Sequence, residues 1–139
     1  MKPASYLIPA FQDLDSVVTK AAARITDHFA DEEYSAIVCT GISGLIVSPS
    51  IAMILNKKLV VVRKPDDTSN HSKLAFEGYL TSDDDWIFLD DFVDTGSTRD
   101  YVITTLRNSG YTEGIGQYEW RHKHALHWTD THRIKNHFP

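Results

Sequence analysis

The chain is short of the residues that staple small proteins together. Among 139 residues it has one cysteine, Cys39, with two methionines, five prolines and seven glycines. A single cysteine closes no internal disulfide, so a disulfide scaffold is excluded and a reducing compartment, the cytoplasm, is expected. Positive charge is also scarce, 14 Lys and Arg against 19 Asp and Glu, for a formal net charge of −5. A field of that sign disfavours nucleic acid and anionic membranes as partners. No apolar run approaches the ~20 residues of a membrane span. Met1-Lys2-Pro3-Ala4-Ser5-Tyr6 has no apolar stretch behind its basic residue, so no secretory signal is expected. Repeats and low-complexity tracts are lacking. What remains is 42% hydrophobic and 24% charged, a globular composition in a chain long enough to bury one core unaided.

The periodicity alternates between two kinds. Leu14, Val17, Val18, Ala21, Ala22, Ile25 and Phe29 trace one stripe of a helix, with Asp13 or Asp15 at its start. Residues 35–40 read as a buried strand and Gly41-Ile42-Ser43-Gly44 as a small-residue turn. Leu45 to Leu55 reads as a helix. Pro49 requires either that the helix begin at Ser48-Pro49 or that its first turn be irregular. Leu59–Val62 and Trp86–Leu89 are short apolar strands, Phe76–Thr81 and Ile115–Trp120 further strand candidates, and Thr98–Ser109 a helix stopped by Gly110. Lys64–Lys73 is polar and aperiodic and reads as a mobile loop. Strands alternating with helices predict an α/β fold, a parallel twisted sheet flanked by helices, with ligands beyond the carboxyl ends of the strands.

The segment richest in chemistry is Asp90-Asp91-Phe92-Val93-Asp94-Thr95-Gly96-Ser97-Thr98, at the end of the Trp86–Leu89 strand. Its second half suits a phosphate. Gly96 allows close backbone approach, turn amides and a helix N-terminus donate to an anion, and Thr95, Ser97 and Thr98 add hydroxyls. Its first half suits a sugar diol, because ionised carboxylates accept what adjacent hydroxyls donate. A capped acidic loop would need none of these features together. No Gly-Lys-Ser/Thr follows any glycine, which excludes a Walker loop. A dehalogenase-type phosphatase needs an Asp two positions after the first, where Phe92 or Val93 stands.

These residues resemble the signature of the type I phosphoribosyltransferases, an apolar strand, two acids and a turn ending Thr-Gly-small-Thr. Thr40–Ala52, with Val61-Val62-Arg63-Lys64, resembles the pyrophosphate-loop half of the adenine phosphoribosyltransferases. The likeness covers about residues 37–110. It implies a type I phosphoribosyltransferase-like, Rossmann-like core at about 13–120, with a small hood from 1–12 and 121–139, in one domain spanning 1–139. It further implies transfer of ribose 5-phosphate from 5-phosphoribosyl 1-diphosphate to a purine-like base, with Mg²⁺ as cofactor and a homodimer. By the same resemblance Asp90 and Asp91 hold the ribose hydroxyls and Mg²⁺, directly or through water or substrate. Asp94, Thr95, Gly96, Ser97 and Thr98 hold the 5-phosphate. Thr40, Gly41, Ile42, Ser43 and Gly44, with Arg63 and Lys64, hold the pyrophosphate. Lys64–Gly78 is the closing loop, in which His71, Ser72 and Lys73 reach the substrate. Asp94 handles the base proton, as in the oxopurine-using relatives, whereas the upstream half is similar to the adenine group, so the base stays open.

The tail holds five of the seven histidines, His122, His124, His127, His132 and His137, with Trp120 and Trp128 in or beside it. It reads either as a base pocket, with Trp120 or Trp128 stacking on the ring, or as aromatics packed on the core. His122-x-His124 lacks the further ligands of a zinc site. Ile42 and Ser43 occupy positions where the family often carries Lys or Arg. That departure and the small hood motivate a second functional class, a non-catalytic sensor of 5-phosphoribosyl 1-diphosphate or a nucleotide.

Overall fold

A computed structural model describes residues 11–64 and 75–128. The first element, α1 (Leu14–His28), buries Val18, Ala21, Ala22 and Ile25, the inner positions of the apolar stripe. It leads to β1 (Ala36–Cys39), whose four residues are all buried. The ambiguity at Pro49 resolves as a break. A short helix α2 (Gly41–Leu45) ends, and α3 (Ser48–Leu55) starts afresh with proline in its first turn, where the missing N–H has no intrahelical acceptor. Asn56, in left-handed conformation at φ 55°, closes α3. Strands β2 (Lys58–Val62) and β3 (Phe76–Glu77) follow, then β4 (Trp86–Asp90), buried along its whole length. Helix α4 (Ser97–Asn108), β5 (Gly116–Glu119) and β6 (His124–His127) complete the described chain.

The six strands form one sheet in the order β3-β2-β1-β4-β5-β6. Pairing is parallel from β2 through β1 and β4 to β5, as strand–helix alternation requires. The two outer pairs, β2 with β3 and β5 with β6, are antiparallel, so the sheet is mixed and not purely parallel as the sequence suggested. Both exceptions are edge strands. Strand β6 comes from the tail assigned to a hood and was not anticipated. Strand β3 is shorter than the expected 76–81.

Residues on opposite faces of the same strands enter two cores. Ile37, Ile87, Leu89 and Tyr118 pack beneath α1 and α3. Val38, Val60, Val62 and Phe88 pack with Val102 and Leu106 of α4. Cys39 is buried and free, and burial pushes its thiol up to about 11, so it is core filler. Among the described residues no helix is long and apolar enough to cross a membrane. Because β1, β4 and β5 run the same way, their carboxyl ends lie along one edge, with Thr40, Asp90 and Glu119 side by side.

Candidate functional site

Strand β4 delivers two carboxylates to that edge. Asp90 is 7% exposed and Asp91 5%. Asp90 Oδ1 accepts the Asp91 amide at 2.9 Å and the Ser43 hydroxyl at 3.1 Å, and Asp91 Oδ1 accepts the Phe92 amide at 2.8 Å. Burial, then the adjacent Asp91 carboxylate, pushes Asp90 up to about 7. A carboxyl poised there waits for something that stabilises its anion: donor hydroxyls or a cation.

The following loop opens a cavity of about 310 Å³ lined by Thr40, Ser43, Lys64 and every residue from Asp90 to Arg99. Gly96 sits at φ 85° as the cap of α4, a conformation that disfavours any side chain. No side chain of this cap bonds the first turn. Thr95 Oγ1 accepts the Ser97 amide at 3.3 Å and lies 3.1 Å from Ser97 Oγ. The other first-turn amides remain for an anion. Arg99 overlies the turn, its guanidinium 2.5 Å from where a Cβ on Gly96 would sit. Asp94, Thr95, Gly96, Ser97 and Thr98 are thus gathered on one cavity wall, as the sequence suggested, and Arg99 adds a cation there.

The pyrophosphate side is gathered less completely. Gly41, at φ 70°, lies under Lys64, whose terminal carbon and ammonium come within 2.9 and 3.1 Å of a hypothetical Cβ. Lys64 therefore stands over the expected pyrophosphate turn and lines the cavity. Thr40 lines it too, but its hydroxyl donates to the Val62 carbonyl at 2.6 Å and is committed to the fold. Gly44 is buried, with a Cβ position 2.9 Å from the Cys39 Cβ, so it serves helix–strand packing and not ligand contact. Ile42 is 70% exposed and lines a neighbouring groove. Arg63 is a correction. Its guanidinium pairs with Glu77 across the β2–β3 edge, in that same groove and away from the cavity.

On the base side the two tryptophans separate. Trp120 lines a separate groove against α1, and only its indole N–H reaches a residue of the cavity wall, donating to the Ser43 carbonyl at 3.0 Å. Trp128 reaches none of them. It is 5% exposed, packs edge-on to Trp86 with ring centroids 5.5 Å apart, and donates to Gln117 at 3.0 Å. Trp86 begins β4 and Asp90 ends it, so Trp128 closes the core at the far end of the sheet and stacks on no ligand. His71, Ser72 and Lys73 lie outside the described residues, as do residues 1–10 and 129–139 of the expected hood.

Glu119 was missed. It is 6% exposed, and its Oε1 accepts the Val93 amide at 2.7 Å. Its one cue in the sequence is a charge at the end of an otherwise uncharged strand. No group of three His, Cys, Asp or Glu side chains among the described residues is arranged to hold a metal. Asp90 and Asp91 offer paired hard oxygens at the cavity, which suits magnesium, a metal commonly held by one or two carboxylates plus substrate phosphates.

No protein-family model and no curated protein matches the chain. Solved structures do. An adenine phosphoribosyltransferase from Thermoanaerobacter pseudethanolicus superposes with a TM-score of 0.64 at 14% identity, over 81% of this chain and 72% of that one. UMP synthase of Leishmania donovani gives 0.59 at 23% identity, over 73% and 21%. An orotate phosphoribosyltransferase from Francisella tularensis gives 0.60 at 15% identity, over 74% and 48%. The chain spans less than half the length of the latter two. Strand order, the loop after β4 and these superpositions together show that the chain has the type I phosphoribosyltransferase fold.

Proposed function

We propose that the chain is a Mg²⁺-dependent phosphoribosyltransferase that joins ribose 5-phosphate from 5-phosphoribosyl 1-diphosphate to a nitrogenous base of the purine type. The observation that carries this reading is the single cavity in which Asp90, Asp91 and the whole turn Asp94–Thr98 meet. Carboxylates accept from the ribose hydroxyls, while the amides of the Gly96 turn and of α4 and the Arg99 guanidinium donate to the 5-phosphate. Lys64 offers charge to the diphosphate from across the cavity. A bond forms between a base nitrogen and C1 as the bond from C1 to the diphosphate oxygen breaks, and the proton on the other ring nitrogen, N7 of a purine, is taken or shared by Asp94. Asp90 and Asp91 would hold the metal, which supplies charge neutralisation on the diphosphate when bound. The protein's own share is positioning and a fixed electrostatic field.

A second reading, a non-catalytic sensor of the same ligand, is favoured by the thin pyrophosphate side. The Thr40 hydroxyl is committed to Val62, and Arg63 lies outside the cavity. One experiment separates them. A panel of adenine, hypoxanthine, guanine, xanthine and orotate is offered with 5-phosphoribosyl 1-diphosphate and Mg²⁺, and pyrophosphate release is followed. Turnover with a purine is expected, slowed roughly 10²–10⁴-fold in Asp94→Ala with ligand affinity little changed. Tight binding without release from any base would establish the sensor instead.

A further inference from the structure

We infer that Glu119 is a positioning residue for the loop that, on the reading above, binds phosphoribose: from the end of β5 its carboxylate clamps the Val93 amide and sets the course of the chain into Asp94 and Thr95. The clamp is part of a stepwise attachment. The Trp120 amide donates to the Asp90 carbonyl and the Arg121 amide to the Asp91 carbonyl, each at 2.9 Å. The Phe92 ring lies 5.4 Å from the His122 ring, and the Arg121 guanidinium sits 5.3 Å over it. The Val93 amide donates to Glu119 Oε1. Each residue from 90 to 93 is therefore held by one from 119 to 122. Beyond Val93, the bonds of residues 95–98 among the described residues stay within the loop and α4.

A buried carboxylate is costly unless its lone pairs are satisfied. Those of Glu119 are. Beside the Val93 bond, Oε2 lies 2.8 Å from His124 Nδ1 and accepts Gln117 Nε2 at 3.3 Å, while His122 Nδ1 stands 3.8 Å from Oε1. Burial works to raise its pKa, but the bonds from Val93, His124 and Gln117 outweigh it and hold the carboxyl below its ordinary value. It is ionised at neutral pH, which makes the Val93 bond charge-assisted and about twice as strong as a neutral one. Strand β6 thus supports the loop at one remove, through His124.

The test uses the full chain. In the wild type without ligand, amide exchange resolved by residue should show Val93 protected relative to Thr95 and Gly96. Glu119→Leu should raise exchange at residues 92 and 93 by roughly tenfold or more while residues 36–39 stay as in the wild type. It should also raise KM for 5-phosphoribosyl 1-diphosphate, or Kd by calorimetry, roughly tenfold, with kcat changed less. Glu119→Gln, which keeps one acceptor oxygen, should recover most of both effects. An unprotected Val93 amide in the wild type overturns the clamp whether or not the Leu variant folds. So does a folded Leu variant with wild-type exchange and affinity. If the wild type binds no 5-phosphoribosyl 1-diphosphate, the proposed function falls while exchange at Val93 still decides the clamp.

Discussion

Asp90 shows how a single residue can oppose the fold it completes. Its carboxyl is pushed up to about 7 because burial and Asp91 disfavour the anion. In the unfolded chain it titrates near the ordinary value of about 3.9. Between those values the folded state binds the extra proton, so the contribution of Asp90 to stability is full below about pH 4. It is lost as pH rises through 7. Asp90→Asn, which cannot ionise, should match the wild type near pH 4 in metal-free buffer and exceed it at pH 8. The gain should be on the order of 1–3 kcal/mol in urea unfolding. A gap independent of pH would contradict the burial argument. The same substitution should weaken ligand binding, the trade expected where a site is held under electrostatic strain. That Asp90 and Asp91 would meet at the carboxyl edge of the sheet was legible because charge at the end of an apolar strand is conspicuous. That Ser43 would donate to Asp90 was not, since nothing local sets the distance between two loops separated by 47 residues.

Elements were legible where one face or a whole strand is buried, and illegible where a partner far along the chain decides. The stripe of α1 and the runs of β1 and β4 declare themselves through period and β-branching. His124-Ala125-Leu126-His127 has neither, and it becomes β6 because its backbone pairs with β5 and Trp128 docks on Trp86. Arg63 looked like a phosphate ligand beside Lys64, but the antiparallel β2–β3 register sets Glu77 opposite Val61, two residues from Arg63, and the two side chains pair diagonally. Asp84 is another residue whose role only the fold reveals. It accepts the Ser35 hydroxyl at 2.5 Å, the Lys58 ammonium at 2.8 Å and the Thr81 amide at 2.7 Å, tying together the starts of β1 and β2 and the turn before β4. Lys58, then Ser35 and Thr81, hold its carboxyl well below the usual range. The stability it confers is complete above about pH 4 and is lost as pH falls further. Asp84→Asn should cost about 1–2 kcal/mol, at the lower end of charged hydrogen bonds because Lys58 is partly exposed. Urea unfolding at pH 7 should show the loss, and the gap to the wild type should begin to narrow below about pH 4 and go on narrowing as pH falls further. A gap that does not change at all between about pH 5 and pH 2 would assign the effect to packing instead.

At the scale of the molecule, the parallel strands β2, β1, β4 and β5 bring turns distant in sequence to one edge, and the cavity there is open in the described residues. It is lined by the carboxylates Asp90, Asp91 and Asp94 and by the cations Lys64 and Arg99. Burial and the neighbouring Asp91 disfavour the Asp90 anion until a ligand supplies hydroxyls, a cation or both. A ligand that satisfies both halves of the loop binds the folded state alone and must raise its stability by mass action. At a concentration of about 100 times Kd the gain is about 2.7 kcal/mol. For a chain of this length that is on the order of 10 °C in Tm. We expect 5-phosphoribosyl 1-diphosphate with Mg²⁺ to give a shift of that order. Ribose 5-phosphate, which on the proposed function would fill the Asp90-Asp91 and Gly96 subsites, should give part of it, and pyrophosphate alone the least, since of the cations lining the cavity only Lys64 stands over Gly41. Asp90→Asn combined with Asp91→Asn removes the acceptors for the ribose hydroxyls and should abolish the shift from ribose 5-phosphate. Differential scanning calorimetry of the two proteins with each ligand decides the matter. A shift from pyrophosphate equal to that from the full ligand, or one undiminished in the double variant, would remove the ribose from the cavity and with it the assignment of the carboxylate pair.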